Sequence, residues 1–223
     1  MKSLSVIIVA LLLFTACSRL PEIVEDPTRL PGPSCRSLFP QRQWQFQHAI
    51  EATVRGRKMG KLIGAMVLNA RKRTIQCALM TIEGLVLFGA RYDGQLTVER
   101  AVKPFDRPGF AAGLMDDLRL MFLAPEGQAR LGRTTQSNVI CRYRYPENFI
   151  TDIVVHDPDH WMINRYNARG RWLRTVSVET AEAARYSEWS GIARHITLES
   201  RSGDDYRLAL TLIEAVPIKK ETP

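Results

Sequence analysis

From Gln43 to Val102 the apolar and polar positions fall into runs of strand length. Trp44, Phe46, His48 and Ile50 alternate with Gln45, Gln47 and Ala49, the period of a half-buried strand. Arg55-Gly56-Arg57-Lys58 reads as a turn, and Leu62 to Leu68 is apolar at both parities. After a polar turn at Asn69 to Arg73 come Ile75 to Ile82, a reversal at Glu83-Gly84, and Leu85 to Ala90. Asp93-Gly94, between Tyr92 and Leu96, is a strong hairpin signal. Strands apolar on both faces are unusual in an antiparallel sheet, which normally leaves one face polar. Each side of this sheet therefore needs a cover.

Pro104 and Pro108 end the meander, and the period then changes. Over Gly109 to Leu123, Phe110, Leu114, Leu118, Met121 and Phe122 share one helical face, with Asp116, Asp117 and Arg119 opposite. Pro125 and Gly127 close this amphipathic helix, which is expected either to pack on the sheet as core or to act as a movable lid. Gln128 to Gln136 reads as loop. Strands resume at Asn138 to Tyr145, Phe149 to Val155, Trp161 to Tyr166 and Trp172 to Val176. A short helix is expected near Thr180 to Arg185, before a closing pair in which Ile196 and Leu198, then Tyr206, Leu208, Leu210 and Leu212, alternate with polar neighbours. The fold class expected is mainly β with inserted helices (α+β), a half-open antiparallel barrel of about ten or eleven strands with one lid helix.

The N-terminus changes the setting. Lys2 precedes the apolar run Val6 to Phe14, which is too short for a bilayer span of roughly 20 residues but suits the core of an export signal. Phe14-Thr15-Ala16-Cys17 resembles the lipobox of bacterial lipoproteins, with Phe14 where leucine is usual. That resemblance implies cleavage before Cys17, acylation of Cys17 with palmitate-type chains, and a lasting membrane anchor. The division expected is a signal peptide over 1–16, a lipidated cysteine and Pro-rich tether over 17–34, a folded domain over 35–218 and a tail over 219–223. Ser18, after the acylated cysteine, suits sorting to the outer membrane by analogy with enterobacterial rules, with the domain facing the periplasm.

The chain carries a formal charge of +8, which suggests anionic partners. Behind an export signal, acidic lipid headgroups fit better than nucleic acid. Arg165, Arg169, Arg171 and Arg174, interleaved with Trp161, Tyr166 and Trp172, form the densest basic-aromatic group, either an interfacial patch or a solvated hairpin. Cys35, Cys77 and Cys141 remain beside Cys17, so at most one internal disulfide is possible, with Cys35 pairing either of the others; Cys77 and Cys141, inside apolar strand-like runs, read by default as buried free thiols.

Catalytic and metal chemistry find little footing. His48, His156, His160 and His195 are a sparse supply, and His156-Asp157-Pro158-Asp159-His160 suits a surface turn better than a metal site. Ser190-Gly191 lacks a nucleophile elbow, and no glycine-rich phosphate loop occurs. Asp116 and Asp117 read as a solvated helix face. No cofactor, metal or catalytic residue is expected, and the protein is read as a non-enzyme.

Element order points further. Met80-Thr81-Ile82-Glu83-Gly84-Leu85 runs into an apolar strand, then the Asp93-Gly94 hairpin, then the helix with Asp116 and Asp117; Ile192 to Ile213 adds the closing strand pair. Behind a lipobox, this resembles the LolA/LolB class of periplasmic lipoprotein carriers, and LolB, its outer-membrane lipoprotein member, above all. The resemblance implies an apolar cavity for acyl chains, lidded by a helix and lined by Leu62, Met66, Met80, Leu85, Leu87, Phe88, Phe110, Leu114, Leu118, Met121 and Phe122. It implies a membrane-proximal loop at Ile82 and Glu83. Where LolB displays a leucine that helps push cargo into the membrane, this chain has Glu83, and a carboxylate is costly to insert. The reading is a monomeric LolB-like relative of narrower use, taking an acyl lipid or lipoprotein cargo, in exchange with a periplasmic carrier protein. The competing reading is a scaffold lipoprotein that docks an envelope partner; a lipid or glycan hydrolase is the third.

Overall fold

A computed structural model describes residues 20–24, 35–180, 191–201 and 205–218. Within them twelve strands form one antiparallel sheet. They are β1 (Gln43–Val54), β2 (Arg57–Asn69), β3 (Thr74–Met80), β4 (Val86–Tyr92), β5 (Leu96–Ala101), β6 (Arg130–Arg133), β7 (Val139–Arg144), β8 (Phe149–Val155), β9 (His160–Asn167), β10 (Trp172–Thr180), β11 (Ala193–Ser200) and β12 (Tyr206–Pro217). Helix α1 (Phe110–Phe122) lies between β5 and β6 in the chain. The signal, Cys17 and the short helix expected near 180–185 lie outside the described residues, apart from Thr180, which ends β10.

The strand order β5-β4-β3-β2-β1-β12-β11-β10-β9-β8-β7-β6 puts the first and last strands side by side in the middle. The two edges, β5 and β6, are consecutive in sequence yet stand at opposite ends of that order, and the segment between them carries the helix. Side chains of α1 meet β4 through Phe88 and β9 through Arg165. In a flat sheet those strands, seven spacings apart, would be separated by roughly 34 Å. A helix only about 10–12 Å across touches both. The sheet therefore curls around the helix, an open antiparallel wrap with α1 on its concave face.

Alternation decides what faces the helix. Trp44, Phe46 and His48 on β1 pair with Leu68, Met66 and Gly64 on β2, and these with Ile75, Cys77 and Leu79 on β3. All but Gly64 belong to one row of buried side chains on the concave wall, and Gly64 has none to offer: Ile50 Cδ1 sits 2.6 Å from where its Cβ would be. The β1–β2 turn is tight, with Arg55 and Gly56 both at positive φ (48° and 76°), as a two-residue hairpin matching the strand twist requires. The expected loop at 128–136 instead contains β6. Its sequence, Arg-Leu-Gly-Arg, shows no alternation because it is a four-residue edge strand.

Two further features position the rest. Cys35 and Cys141 form a disulfide across 106 residues, tying a short 3-10 turn (Cys35–Leu38) to β7 inside the core. Cys77 stays a buried free thiol, pushed up to about 11 by its burial. On the convex face, residues 20–24, which the sequence places in the tether, lie against the sheet. Ile23 joins Ile140 and Val154 in a small second core, and Val24 bridges Arg133.

Candidate functional site

The concave groove between α1 and the sheet divides into an apolar half and a charged half. On the β1–β4 side, Phe122 meets Phe46 and His48 with ring centroids 5.8 and 5.6 Å apart, and Phe110 meets Phe88 edge-on at 5.4 Å. Burial among these rings lowers His48 to about 4, so it sits neutral beneath the end of the helix.

On the opposite flank the helix is tied by charge. Arg165 Nη1 donates to Asp116 Oδ1 at 2.8 Å, and Arg174 Nη1 also bonds Asp116. Arg174 Nε lies 2.9 Å from Asp117 Oδ1, and the Tyr206 hydroxyl donates to Asp117 Oδ2 at 2.5 Å. Burial works against the Asp116 charge, but the two guanidiniums together hold its carboxyl below the usual range. Asp117 is only 2% exposed, and burial outweighs Arg174 and Tyr206 to push it up to about 6. Burial, reinforced by the Asp117 charge, pushes the Tyr206 phenol up to about 12. Asp117 is thus no solvated helix face. The expectation failed because its partners come from β10 and β12, far away in the chain.

These groups set opposite pH dependences. Asp117, raised from 3.8, stabilises the fold below its unfolded value, and that contribution is lost as pH rises through 6. His48, lowered from 6.5, stabilises above its unfolded value, and that contribution is lost as pH falls towards 4. Each is worth up to about 3 kcal/mol at roughly 1.4 kcal/mol per pKa unit. Denaturant titrations of Asp117→Asn and His48→Gln between pH 4 and 7 are expected to diverge in slope. In the first variant stability should fall more steeply on acidification than in the parent, and in the second less steeply. Parallel curves would contradict the burial of both groups.

Beside the C-terminal half of α1, between it and β8–β9, lies a cavity of about 290 Å³. Leu120, Leu123, Pro125, Phe149 and Ile163 supply its apolar wall; Arg73, Arg119, Arg165, Asp116, Glu126, Glu147, Tyr145 and Thr151 supply the polar one. Arg73 is occupied by the Ala124 carbonyl at 2.9 Å and by Glu126 at 2.8 Å. Three polar atoms of the lining are buried without a hydrogen-bond partner among the described residues: Arg119 Nε, Arg165 Nε and Thr151 Oγ1. An unmet buried donor costs about 1–3 kcal/mol; the Arg119 guanidinium is stacked on the Tyr92 ring at 4.7 Å and that of Arg165 lies over Phe149 at 5.9 Å. A second cavity, of about 330 Å³, opens on the convex face between β9, β10 and Glu199 of β11.

The predicted lining residues sit elsewhere. Met66, Phe88, Leu118, Met121 and Phe122 are buried in the helix–sheet contact, with Leu62, Phe110 and Leu114 half-buried at its margin. By strand parity Met80 and Leu87 belong to the convex face, and Leu85 is 58% exposed. None of them lines either cavity. Ile82 is 70% exposed beside Glu83. The β3–β4 loop is closed by the Leu85 N–H donating to Thr81 Oγ1 at 3.3 Å, with Gly84 at φ 91°, so Ile82 and Leu85 are displayed on either side of the carboxylate.

The basic-aromatic group splits. Arg165 and Arg174 turn inward to the helix, Trp161 is buried against Phe39, and Arg169 and Arg171 remain exposed with Trp172 under Arg201. His160 and Asp157 close their own turn at 3.0 Å, and His156 Nε2 lies 3.3 Å from Met162 Sδ. Among the described residues no three His, Cys, Asp or Glu side chains gather as a metal site would require. Arg73, Tyr145 and Thr151 were not anticipated, since they reach the cavity from separate turns and strands and share no motif.

The curled antiparallel sheet with a helix on its concave face is a LolA-like fold. The chain is similar to the crystal structure of a LolA superfamily protein from Nitrosomonas europaea, with a TM-score of 0.55, 10% identity, and coverage of 86% of this chain and 95% of that one. At that identity the likeness is one of fold. No family model and no curated protein sequence matches the chain.

Proposed function

We propose that the protein is a non-enzymatic lipid-binding or lipid-transfer protein, anchored to the outer membrane through Cys17 and facing the periplasm. Its ligand is an acyl lipid or the acylated end of a lipoprotein, taken from or passed to a periplasmic carrier. The observation that carries this reading is the cavity beside α1, where an apolar wall stands against three buried polar atoms without partners among the described residues. An acyl ester offers both halves of that chemistry. Its hydrocarbon lies along Phe149, the exposed part of the apolar wall, and its carbonyl or phosphate oxygens accept from Arg165 and Thr151.

The cavity stands at the lower end of the range of small-molecule sites, about 300–1,000 Å³, so a whole chain enters only as α1 shifts. The helix suits that motion. It begins at Gly109 without a side-chain cap, and the segment that carries it joins the two edges of the sheet. The apolar wall it would uncover is worth about 25 cal/mol per Å² to whatever hydrocarbon replaces it. The Cys35–Cys141 disulfide supports the extracytoplasmic setting, because such bonds persist in oxidising compartments.

The test is binding of a fluorescent fatty acid and native mass spectrometry of the purified lipidated protein. Co-purifying acyl lipid is expected, and Thr151→Phe, which fills the cavity from β8, should weaken binding at least tenfold, about 1.4 kcal/mol. No bound lipid, or unchanged binding in Thr151→Phe, would leave the scaffold reading in its place.

A further inference from the structure

Residues 20–24 are held to the body by a built site. The Pro21 carbonyl accepts from Arg142 Nη2 at 2.8 Å, and that guanidinium is fixed by Asp152 through Nε and Nη2 at 2.7 and 2.6 Å. Asp152 is fully buried and Arg142 is 7% exposed, so the segment roofs an ion pair on the convex face. Val24 exchanges two backbone hydrogen bonds with Arg133, at 3.0 and 2.9 Å. Two glycines make room for the segment. A Cβ on Gly132 would stand 2.3 Å from Ile23 Cγ2, and one on Gly170 would stand 3.6 Å from Leu20 Cβ.

The free tether is therefore short. Leu20 lies against Gly170 in the β9–β10 turn, three positions along the chain from Cys17. Fully extended, three residues span roughly 11 Å. A chain anchored at Cys17 thus brings the β9–β10 turn to the headgroups. That turn presents exposed Arg169 and Arg171 on either side of Gly170, and Arg201 stands nearby, stacked on Trp172 at 4.2 Å. Glu22, exposed on the strap, is an opposing charge there.

We propose that residues 20–24 form a strap that fixes the domain's orientation, docking the basic β9–β10 turn on the anionic surface of the bilayer that holds Cys17. This rests on the lipid-anchored reading above. Cationic side chains close to an anionic bilayer each strengthen binding about fivefold, so two arginines account for about 25-fold. Trp172 beneath Arg201 adds an aromatic ring of the kind that favours the headgroup level.

The test reconstitutes the lipidated full chain into phosphatidylethanolamine–phosphatidylglycerol vesicles carrying a headgroup quencher. A fluorophore is placed at Ala168→Cys, in the β9–β10 turn, or at Gln95→Cys, in the β4–β5 turn at the other end of the strand ladder. Both positions are exposed. Strong quenching at 168 and little at 95 is expected. Arg169→Gln with Arg171→Gln should weaken the docked state about 25-fold, and phosphatidylcholine vesicles should weaken it at least as much. Ile23→Asp, or Gly132→Val if the first perturbs folding by circular dichroism, should release the strap and lose quenching at 168 while the acyl mass is unchanged. Equal quenching at both sites in an acylated protein would overturn the docking and leave the lipid-binding reading standing. Quenching at 168 that survives strap release would overturn the strap's role. A chain without acyl mass on Cys17 would overturn the anchor, and this inference with it.

Discussion

Arg142→Met is expected to destabilise the fold by about 3–5 kcal/mol, among the largest effects of any single substitution outside the core. Asp152 has no solvent access, and both its oxygens accept from Arg142. Removing the guanidinium leaves a buried carboxylate without that counter-charge and takes the donor from the Pro21 carbonyl. The double variant Arg142→Met/Asp152→Leu removes the charge as well as its partner. It should recover to within about 1–2 kcal/mol of the parent, because desolvation of an ion pair consumes most of what its attraction returns. Urea denaturation of the four proteins in the cycle measures this directly. A double variant as unstable as the single would mean that the strap's hydrogen bond, rather than the stranded charge, carries the cost.

That ion pair also illustrates where the sequence is readable and where it is not. The strands β1 to β5, the helix and its position after the fifth strand all follow from local periodicity, since alternation and the 3.6-residue period are properties of neighbours in the chain. The twelve-stranded order with β1 beside β12 adds long-range pairing, and β6 escaped because four edge residues around Gly132 carry no period. Side-chain partnership was the least legible layer. Asp117 and Arg174, 57 positions apart by their numbers, read as separate surface charges until the curl of the sheet brings them together. Likewise the apolar face of α1 was readable, but the side of the groove left open was not. The apolar half closes by interdigitation of Phe110, Phe122 and their ring partners. The space remains on the β8–β9 side, where long charged side chains pack less completely than rings do. Residues 20–24 lay within a proline-rich stretch with no period, and only Gly132 and Gly170, distant in sequence, make their docking possible.

Removing the Cys35–Cys141 disulfide is expected to cost about 2–5 kcal/mol, with the larger values favoured by its long loop. The bond closes a loop with a sequence separation of 106 residues, and cross-linking about 100 residues removes roughly 4.7 kcal/mol of denatured-state entropy in the chain-entropy treatment. Both cysteines are buried, at 2% and 1% exposure, so Cys35→Ala/Cys141→Ala keeps the site apolar and isolates the cross-link from a buried hydroxyl. The position of the bond decides which part of the fold loosens. Cys35 heads the segment that carries Phe39 against Trp161, and the Phe39 backbone lies within 2.3 Å of the Cβ position of Gly191. Without the cross-link that segment is held by those contacts and by Arg36, which donates to the Gly127 carbonyl at 2.8 Å just after the helix. Hydrogen exchange should therefore rise first in residues 35–41 and 124–129, ahead of the central β1–β12 pair. Because residues 124–129 follow α1 directly, and the proposed function has α1 shift to admit its ligand, the reduced protein should also admit a fluorescent fatty acid faster than the oxidised one. A disulfide-free variant with parental stability and parental uptake kinetics would show that the cross-link constrains neither the denatured chain nor the helix.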